Sequence, residues 1–325
     1  MADLGQSVAE HRIAILDDYQ SVATDIADWT PLAGRAEWVS FSDHLADPDD
    51  VVRRLADFDI VVAMRERTAF PRDLLARLPR LRLLVTTGMR NASIDIGAAV
   101  EHGVTVCGTG MSPSAPVELT WALLMALVRD VPGEDWRTRA GRWQQYLPLE
   151  LAGSTMGIVG LGRLGQRIAA IANLFGMTVI AWSENLTTSA ASQLGVERVD
   201  KAELFRRSDI VSIHTVLSKR TRNLVGAAEL DLLGSSGYLV NTSRGPIVNE
   251  GDLVAALHNG TIAGAALDVF DIEPLPAGHP LLSTPRTILS PHVGFVSRQA
   301  YAATYSQVVE DIFGWLGGTP VRVLG

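Results

Sequence analysis

Three polar residues close short apolar runs in the last third of the chain: Arg244 in YLVNTSRGP, Glu273 in GAALDVFDIEP and His292 in TILSPHVGF. If the runs are strands of a parallel sheet, all three side chains stand at carboxyl ends, where α/β folds place their chemistry. An arginine there grips a carboxylate with two parallel hydrogen bonds and sets positive charge beside a neighbouring ketone, the pair of groups that a 2-oxo acid offers. A carboxylate next to a histidine holds the ring in one orientation and favours its protonated form, which makes a general acid for an oxygen that becomes an alcohol. Each residue alone also fits a plainer role, the arginine and glutamate as surface ion-pair or loop residues and the histidine as a satisfied structural group. Three at strand ends do not share one plain role easily.

Upstream, TMGIVGLGRLGQRIAAIANLFGMTVIAW carries Gly160, Gly162 and Gly165 in a G-x-G-x-x-G pattern. The pattern is weak by itself, but here it follows an expected strand, opens a helix and is followed by a second strand. That is the context of a dinucleotide site. One glycine serves the tight turn, one the approach of the pyrophosphate, and one the packing of helix on strand, with the pyrophosphate on the positive end of the helix. A nicotinamide or flavin cofactor is implied.

The elements that position these residues alternate along the whole chain, short β-branched runs with longer helical patterns, which is the signature of βαβ units and parallel sheets. The expected strands are RIAIL (12–16), AEWVSF (36–41), DIVVAM (59–64), RLLVTT (82–87) and VTVCGT (104–109), then TMGIVG, MTVIAW, DIVSIH, YLVNTS, IAGAALD and TILS. PDDVVRRLADF and PRDLLARL read as helices opened by proline. GTGMSPSAP (108–116) breaks the periodicity and reads as a linker or hinge. After it, VELTWALLMALVRD and EDWRTRAGRWQQY read as helical, and their Trp121, Trp136 and Trp143 suit either a core or a dimer interface. A helix, SRQAYAATYSQVVEDIFGWL, is expected near the C-terminus.

The chain has 325 residues, enough for about two domains. With 47% hydrophobic and 20% charged residues it has the composition of an ordinary globular protein. A net charge of −8 with no run of Lys or Arg argues against nucleic acid as a partner. The single cysteine, Cys107, excludes an internal disulfide and argues against a zinc cluster, so no metal is expected. The N-terminal residues lack a signal pattern, and no segment reaches the roughly 18 apolar residues of a spanning helix, so no membrane association and a cytoplasmic location are expected.

The chain resembles the D-isomer-specific 2-hydroxyacid dehydrogenases over most of its length. GIVGLGRLGQRIA, SDIVSIHTVLSKRTRNLVG, YLVNTSRGPIVNEGDLVAAL, GAALDVFDIEPLP and LSPHVGF look like that family's signature stretches. The resemblance implies Arg244, Glu273 and His292 as the catalytic set, His292 being the acid/base. It implies cofactor contacts at Gly160, Gly162, Arg163, Leu164, Gly165, Ser183, Glu184, His214, Thr215, Thr242, Ser243, Asp268 and Gly294, and substrate contacts at Arg65, Met89, Arg90, Arg244 and His292. The implied α/β architecture is two doubly wound parallel-sheet domains. A Rossmann-type cofactor domain (110–297) is inserted into a flavodoxin-like substrate domain (1–109 and 298–325), with a cleft that closes on substrate. A helical arm at about 117–150 would build a homodimer. The implied activity is hydride transfer between NAD(P)H and a small 2-oxo acid or D-2-hydroxy acid, with phosphoglycerate among the substrates the family takes. Formate dehydrogenases share the fold but usually carry glutamine where Glu273 stands. The C-terminal-binding corepressors keep the triad and act as NAD(H)-sensing scaffolds, the alternative from a different class.

Two departures from the family pattern matter. In TTGMRNASID (86–95), a loop whose backbone amides meet the substrate carboxylate in the family, Arg90 occupies what is usually glycine. VAMRERT (62–68) adds Arg65 and Arg67; these arginines either make the pocket more cationic or sit on a solvated face. At the end of MTVIAW, where NAD-dependent members usually place aspartate, this chain has Ser183 followed by Glu184. Serine argues for NADP. The absence of Lys and Arg from AWSENLTTSA and the adjacent glutamate argue more strongly for NAD, unless a cation such as Arg163 or Lys219 enters from elsewhere.

Overall fold

Strands buried on both faces need helices above and below them, and five of the six four-residue strands here are buried at every position. The computed structural model describes residues 10–325. The chain forms two units, one running to Ser112 and resuming over Val296–Gly325, the other spanning Pro113–Phe295.

The first unit is a five-stranded parallel sheet of β1 (His11–Ile15), β2 (Ala36–Ser40), β3 (Ile60–Ala63), β4 (Leu83–Thr86) and β5 (Thr105–Gly108), in the order β2-β1-β3-β4-β5. Two of its helices begin at aspartate caps, as the local sequence directs: Asp47 accepts from the Asp49 amide at 2.8 Å, and Asp95 from the Ala98 amide at 2.8 Å. The helix Arg298–Leu316, capped by Ser297, packs on β4 and β5. Residues 322–324 then run antiparallel beside β5, bridging Cys107 to Val323. Cys107 is fully buried, and burial pushes its thiol up to about 12.

The second unit is a seven-stranded parallel sheet built from β6 (Thr155–Val159), β7 (Thr178–Trp182), β8 (Glu197–Arg198), β9 (Ile210–Ile213), β10 (Tyr238–Asn241), β11 (Gly264–Leu267) and β12 (Thr287–Leu289). Its order is β12-β11-β10-β9-β6-β7-β8. One apolar layer joins the sheet to the helices Ser114–Val128 and Arg163–Leu174; the other joins it to the helices that follow β8, β9 and β10. Trp121 belongs to the first layer and stacks on Phe175 at 5.0 Å.

The structure departs from the sequence reading in two elements. β8, a two-residue edge strand, is too short to show in the apolar pattern. The helical reading of EDWRTRAGRWQQY holds only as far as Arg139, because Gly141 takes a φ of +73° that ends the helix, and the stretch to Glu150 is irregular. Trp136 and Trp143 on this segment are 59% and 74% exposed, unlike Trp121.

Candidate active site

In the second unit β10, β11 and β12 are neighbours, so the segments leaving their carboxyl ends lie side by side. Arg244 follows β10. The turn that carries it is held by Asn241, whose Oδ1 accepts from the Ser243 amide at 3.1 Å and whose Nδ2 donates to the Arg244 carbonyl at 3.0 Å. Gly245 comes next, at a position where a Cβ would run into the backbone of Phe270 and Asp271. The two segments therefore pack backbone to backbone, and only glycine permits it. On the Phe270 side the same backbone holds Glu273: its Oε1 accepts from the Phe270 amide at 2.9 Å.

The second oxygen of Glu273 meets His292 Nδ1 at 2.5 Å. A carboxylate oxygen accepts, so Nδ1 carries the hydrogen of this contact and the ring is held with Nε2 directed away from the glutamate. His292 itself has a φ of +53°, a left-handed conformation that a histidine keeps only when its surroundings impose it. Asp268 imposes it. This residue is 1% exposed, and its two oxygens accept from the Val293 and Gly294 amides at 2.9 and 2.8 Å. Burial raises the Asp268 pKa, opposed by hydrogen bonds from Ser290, Val293 and Gly294. The edge of the Phe295 ring closes against the imidazole at 5.9 Å.

The glycine motif lies in the same unit, between β6 and the helix Arg163–Leu174. Gly160 has a φ of +102°, and a Cβ there would stand 2.7 Å from the His214 carbonyl carbon; a Cβ on Gly165 would strike the Gly160 carbonyl. Gly162 differs, since no protein atom lies within 4 Å of where its Cβ would be. It starts the helix without a side-chain cap, so the Arg163, Leu164 and Gly165 amides have no acceptor in the helix. Open space beside unsatisfied amides at a helix N-terminus fits a dinucleotide pyrophosphate. Nearby, His214 Nε2 pairs with Ser212 Oγ at 2.8 Å, and burial lowers its pKa to about 4, so the ring is neutral at pH 7. Ser243 Oγ donates to the Thr215 carbonyl at 2.5 Å, and Thr242 shares a hydrogen bond with Thr120 at 2.8 Å.

At the end of β7 Ser183 Oγ accepts from the Leu161 amide at 3.0 Å, which joins this strand end to the glycine loop. Glu184 is exposed. The sequence reading found no cation in this loop, but β8 brings one: Arg198 sits opposite Ala181 of β7, and its Nε donates to the Leu186 carbonyl at 2.8 Å. Arg163 and Lys219 are exposed, and among the described residues neither forms an ion pair with the loop.

Arg65, Met89 and Arg90 belong to the first unit. Arg65 follows β3 with a φ of +52° and lays its guanidinium on the Thr87 carbonyl at 3.2 Å and the Met111 sulfur at 3.0 Å. Met89 and Arg90 follow β4 and are exposed. Arg67 stacks over the Tyr19 ring at 4.6 Å.

A glycine cradle for a dinucleotide, and an arginine and a glutamate–histidine pair on adjoining strand ends, are the equipment of a nicotinamide-dependent oxidoreductase acting on hydroxy acids. The model of the D-isomer specific 2-hydroxyacid dehydrogenase NAD binding domain matches residues 121–294. A glyoxylate reductase of Aeropyrum pernix is 40% identical over 257 residues, 76% of each chain. A D-3-phosphoglycerate dehydrogenase of Bacillus subtilis is 34% identical over 86% of this chain, which spans about half (53%) of that relative's length. The solved phosphoglycerate oxidoreductase of Vibrio cholerae superposes with a TM-score of 0.89 at 36% identity, covering 95% of this chain and all of that one. The chain belongs to the D-isomer specific 2-hydroxyacid dehydrogenase family. It is an NAD-binding oxidoreductase that transfers hydride between 2-oxo and 2-hydroxy acids.

Three residues that brace or flank the candidate groups within their own units were not singled out by sequence reasoning. Asn241 and Asn91, which brace the Arg244 and Arg65 segments, carry a readable signal, since asparagine in a turn commonly hydrogen-bonds the backbone two residues on. Arg198 carries none, because its partner loop is reached only through strand pairing. Among the described residues no group of acidic, histidine or cysteine side chains is suited to a metal, and no helix is long and apolar enough to cross a membrane.

Proposed function

We propose that this protein reduces a small 2-oxo acid, with glyoxylate and hydroxypyruvate as the first candidates, to the 2-hydroxy acid, and that Arg244, Glu273 and His292 carry the reaction. The observation behind this reading is the 2.5 Å contact of Glu273 with His292 Nδ1 on the strand end adjoining that of Arg244. Arg244 binds the substrate carboxylate and polarises the ketone. His292, oriented through Nδ1, delivers a proton from Nε2 to the oxygen that becomes the alcohol. Glu273 keeps the ring in register and balances the charge. The bound nicotinamide supplies the hydride. Gly162 and the Arg163, Leu164 and Gly165 amides would hold its pyrophosphate, and Ser183, Glu184, His214, Thr215, Thr242, Ser243, Asp268 and Gly294 would line the rest of its site. In the first unit Arg65, Met89 and Arg90 contact the substrate.

NADH is the preferred cofactor, by a modest margin. Ser183 already accepts one hydrogen bond, and the exposed Glu184 repels a 2′-phosphate. Arg198 is the cation through which NADPH would be tolerated. Arg90, which is exposed, favours substrates with a second anionic group, which keeps a phosphorylated acid such as phosphohydroxypyruvate as the second reading. The protein acts in the cytoplasm as a homodimer; the exposed Trp136, Trp143 and Leu147, the last 92% exposed, support an interface on this segment.

Reduction of glyoxylate, hydroxypyruvate, pyruvate and phosphohydroxypyruvate, each assayed with NADH and with NADPH, tests the proposal and separates an enzyme from a cofactor-sensing scaffold. No turnover with any acid would reject the enzymatic reading. Arg90→Ala should hurt the phosphorylated acid more than glyoxylate, and equal losses would remove Arg90 from the substrate site.

A further inference from the structure

Asn91 lies in the loop after β4, five residues past Thr86, and it uses every polar atom of its side chain. It is 7% exposed; Nδ2 donates to the Arg65 carbonyl at 2.6 Å and to Thr86 Oγ1 at 2.9 Å, while Oδ1 accepts from the Ser93 amide at 2.9 Å. Arg65 is held from its other side too, its amide donating to Thr87 Oγ1 at 3.0 Å. Both faces of a residue with a φ of +52° are thus fastened to the loop after β4. A long side chain does not hold that backbone conformation unaided. The segments 64–68 and 87–93 are consequently one braced piece.

Within that piece the backbone donors are distributed unevenly. The Gly88 amide is spent on Thr109 Oγ1 at 3.1 Å. The Met89 and Arg90 amides have no acceptor among the described residues. Two adjacent unsatisfied amides at the carboxyl end of a parallel strand, flanked by the Arg65 and Arg90 side chains, suit a carboxylate. Because their direction is set by a loop with little apolar anchorage, something polar has to fix it, and Asn91 is the buried group at its centre.

We infer that Asn91 is a positioning residue for substrate binding: by holding Arg65 in its left-handed conformation it keeps the Met89 and Arg90 amides aimed at the carboxylate of the 2-oxo acid. The inference rests on the proposal that this loop receives the substrate. It touches no reacting atom, so its loss weakens capture of the substrate and spares the chemical step.

The test is steady-state kinetics of Asn91→Ala and Thr87→Val with glyoxylate, alongside Met89→Pro, which deletes one of the two amides. Asn91→Ala should raise the KM for glyoxylate about tenfold or more, with kcat within about twofold and the KM for NADH unchanged, as expected when binding is lost uniformly from ground and transition states. Thr87→Val removes the acceptor for the Arg65 amide at constant shape and should act in the same direction; it decides the matter if the alanine variant does not fold. An unchanged KM in both variants, or a fall in kcat at constant KM, overturns the role of Asn91. If Met89→Pro also leaves the KM unchanged, the loop is not the carboxylate site and the underlying proposal fails; if Met89→Pro alone raises it, only Asn91's part is lost.

Discussion

Replacing Gly245 by alanine tests whether the candidate catalytic groups are positioned as a unit. The new Cβ would lie 2.6 Å from the Asp271 amide nitrogen and closer still to the Phe270 carbonyl, where ordinary contact begins at 3.4 Å. All of these atoms are backbone, so no rotamer change relieves the clash. The Arg244 and Phe270 segments have to part by roughly 1 Å, a displacement of the size that costs about 10²-fold in rate when it falls on reacting groups. The shift reaches the histidine as well, because the Phe270 amide holds the Glu273 oxygen opposite the one that meets His292. We expect kcat for glyoxylate reduction, followed by NADH absorbance, to fall about 10²-fold, corresponding to about 2.7 kcal/mol of barrier. NADH binding, measured by fluorescence titration, should fall far less than kcat, since the glycine cradle lies at other strand ends. A variant whose kcat stays within about twofold of wild type would refute the argument that backbone contact at Gly245 sets the geometry.

Removal of the acid itself, His292→Ala, should lower the reduction rate by about 10²–10⁴ while cofactor affinity is kept, the loss expected for a positioned general acid; near-normal turnover would remove His292 from the mechanism. Arg244→Lys keeps the charge but loses the planar two-pronged donor, so both the KM for the 2-oxo acid and kcat should worsen, and a lysine variant with most of the wild-type kcat/KM would eliminate the carboxylate clamp. His214 bears on stability. Its pKa drops from 6.5 to about 4 through burial, so between those values the unfolded chain binds a proton that the native state refuses. Its contribution is complete above about pH 6.5 and is lost as the pH falls towards 4, by at most about 3 kcal/mol because the ring is partly accessible. Urea titrations at pH 7 and pH 5 should show a larger drop for wild type than for His214→Asn; equal drops would contradict it.

The alternation of strands and helices was legible because parallel strands covered on both faces are apolar without interruption, and the polar residues ending them stand out. Arg244, Glu273 and His292 stand out as candidates for that reason. The contact that couples two of them, Glu273 to His292, spans strand ends whose adjacency depends on the order of β10, β11 and β12 and not on spacing in the chain. The same holds for Arg198, which local sequence placed far from the ribose loop and strand pairing returned to it. β8 escaped notice because two residues have no period, and the helix past Arg139 was over-extended because its side chains suit a helix while the backbone at Gly141 does not. Asn91 was passed over as part of a loop defined by its arginine, although its three hydrogen bonds order that loop.

The antiparallel run beside β5 bears on behaviour in solution. A parallel sheet ends in strands whose outer amides and carbonyls invite another chain to pair. On this side the invitation is withdrawn: the Gly108 amide donates to the Arg322 carbonyl at 3.0 Å, and the Leu324 amide to the Val106 carbonyl at 2.8 Å. Arg322 is tethered in turn to the fully buried Asp311 at 2.9 Å and to the Gln307 carbonyl at 2.8 Å. Removing residues 320–325 should therefore leave the catalytic groups untouched and uncover an edge rich in apolar residues, so that the shortened protein self-associates at concentrations where the intact one stays dispersed. For anyone handling the protein, purification tags and fusions attached at this end need a spacer long enough to leave residues 322–324 in place.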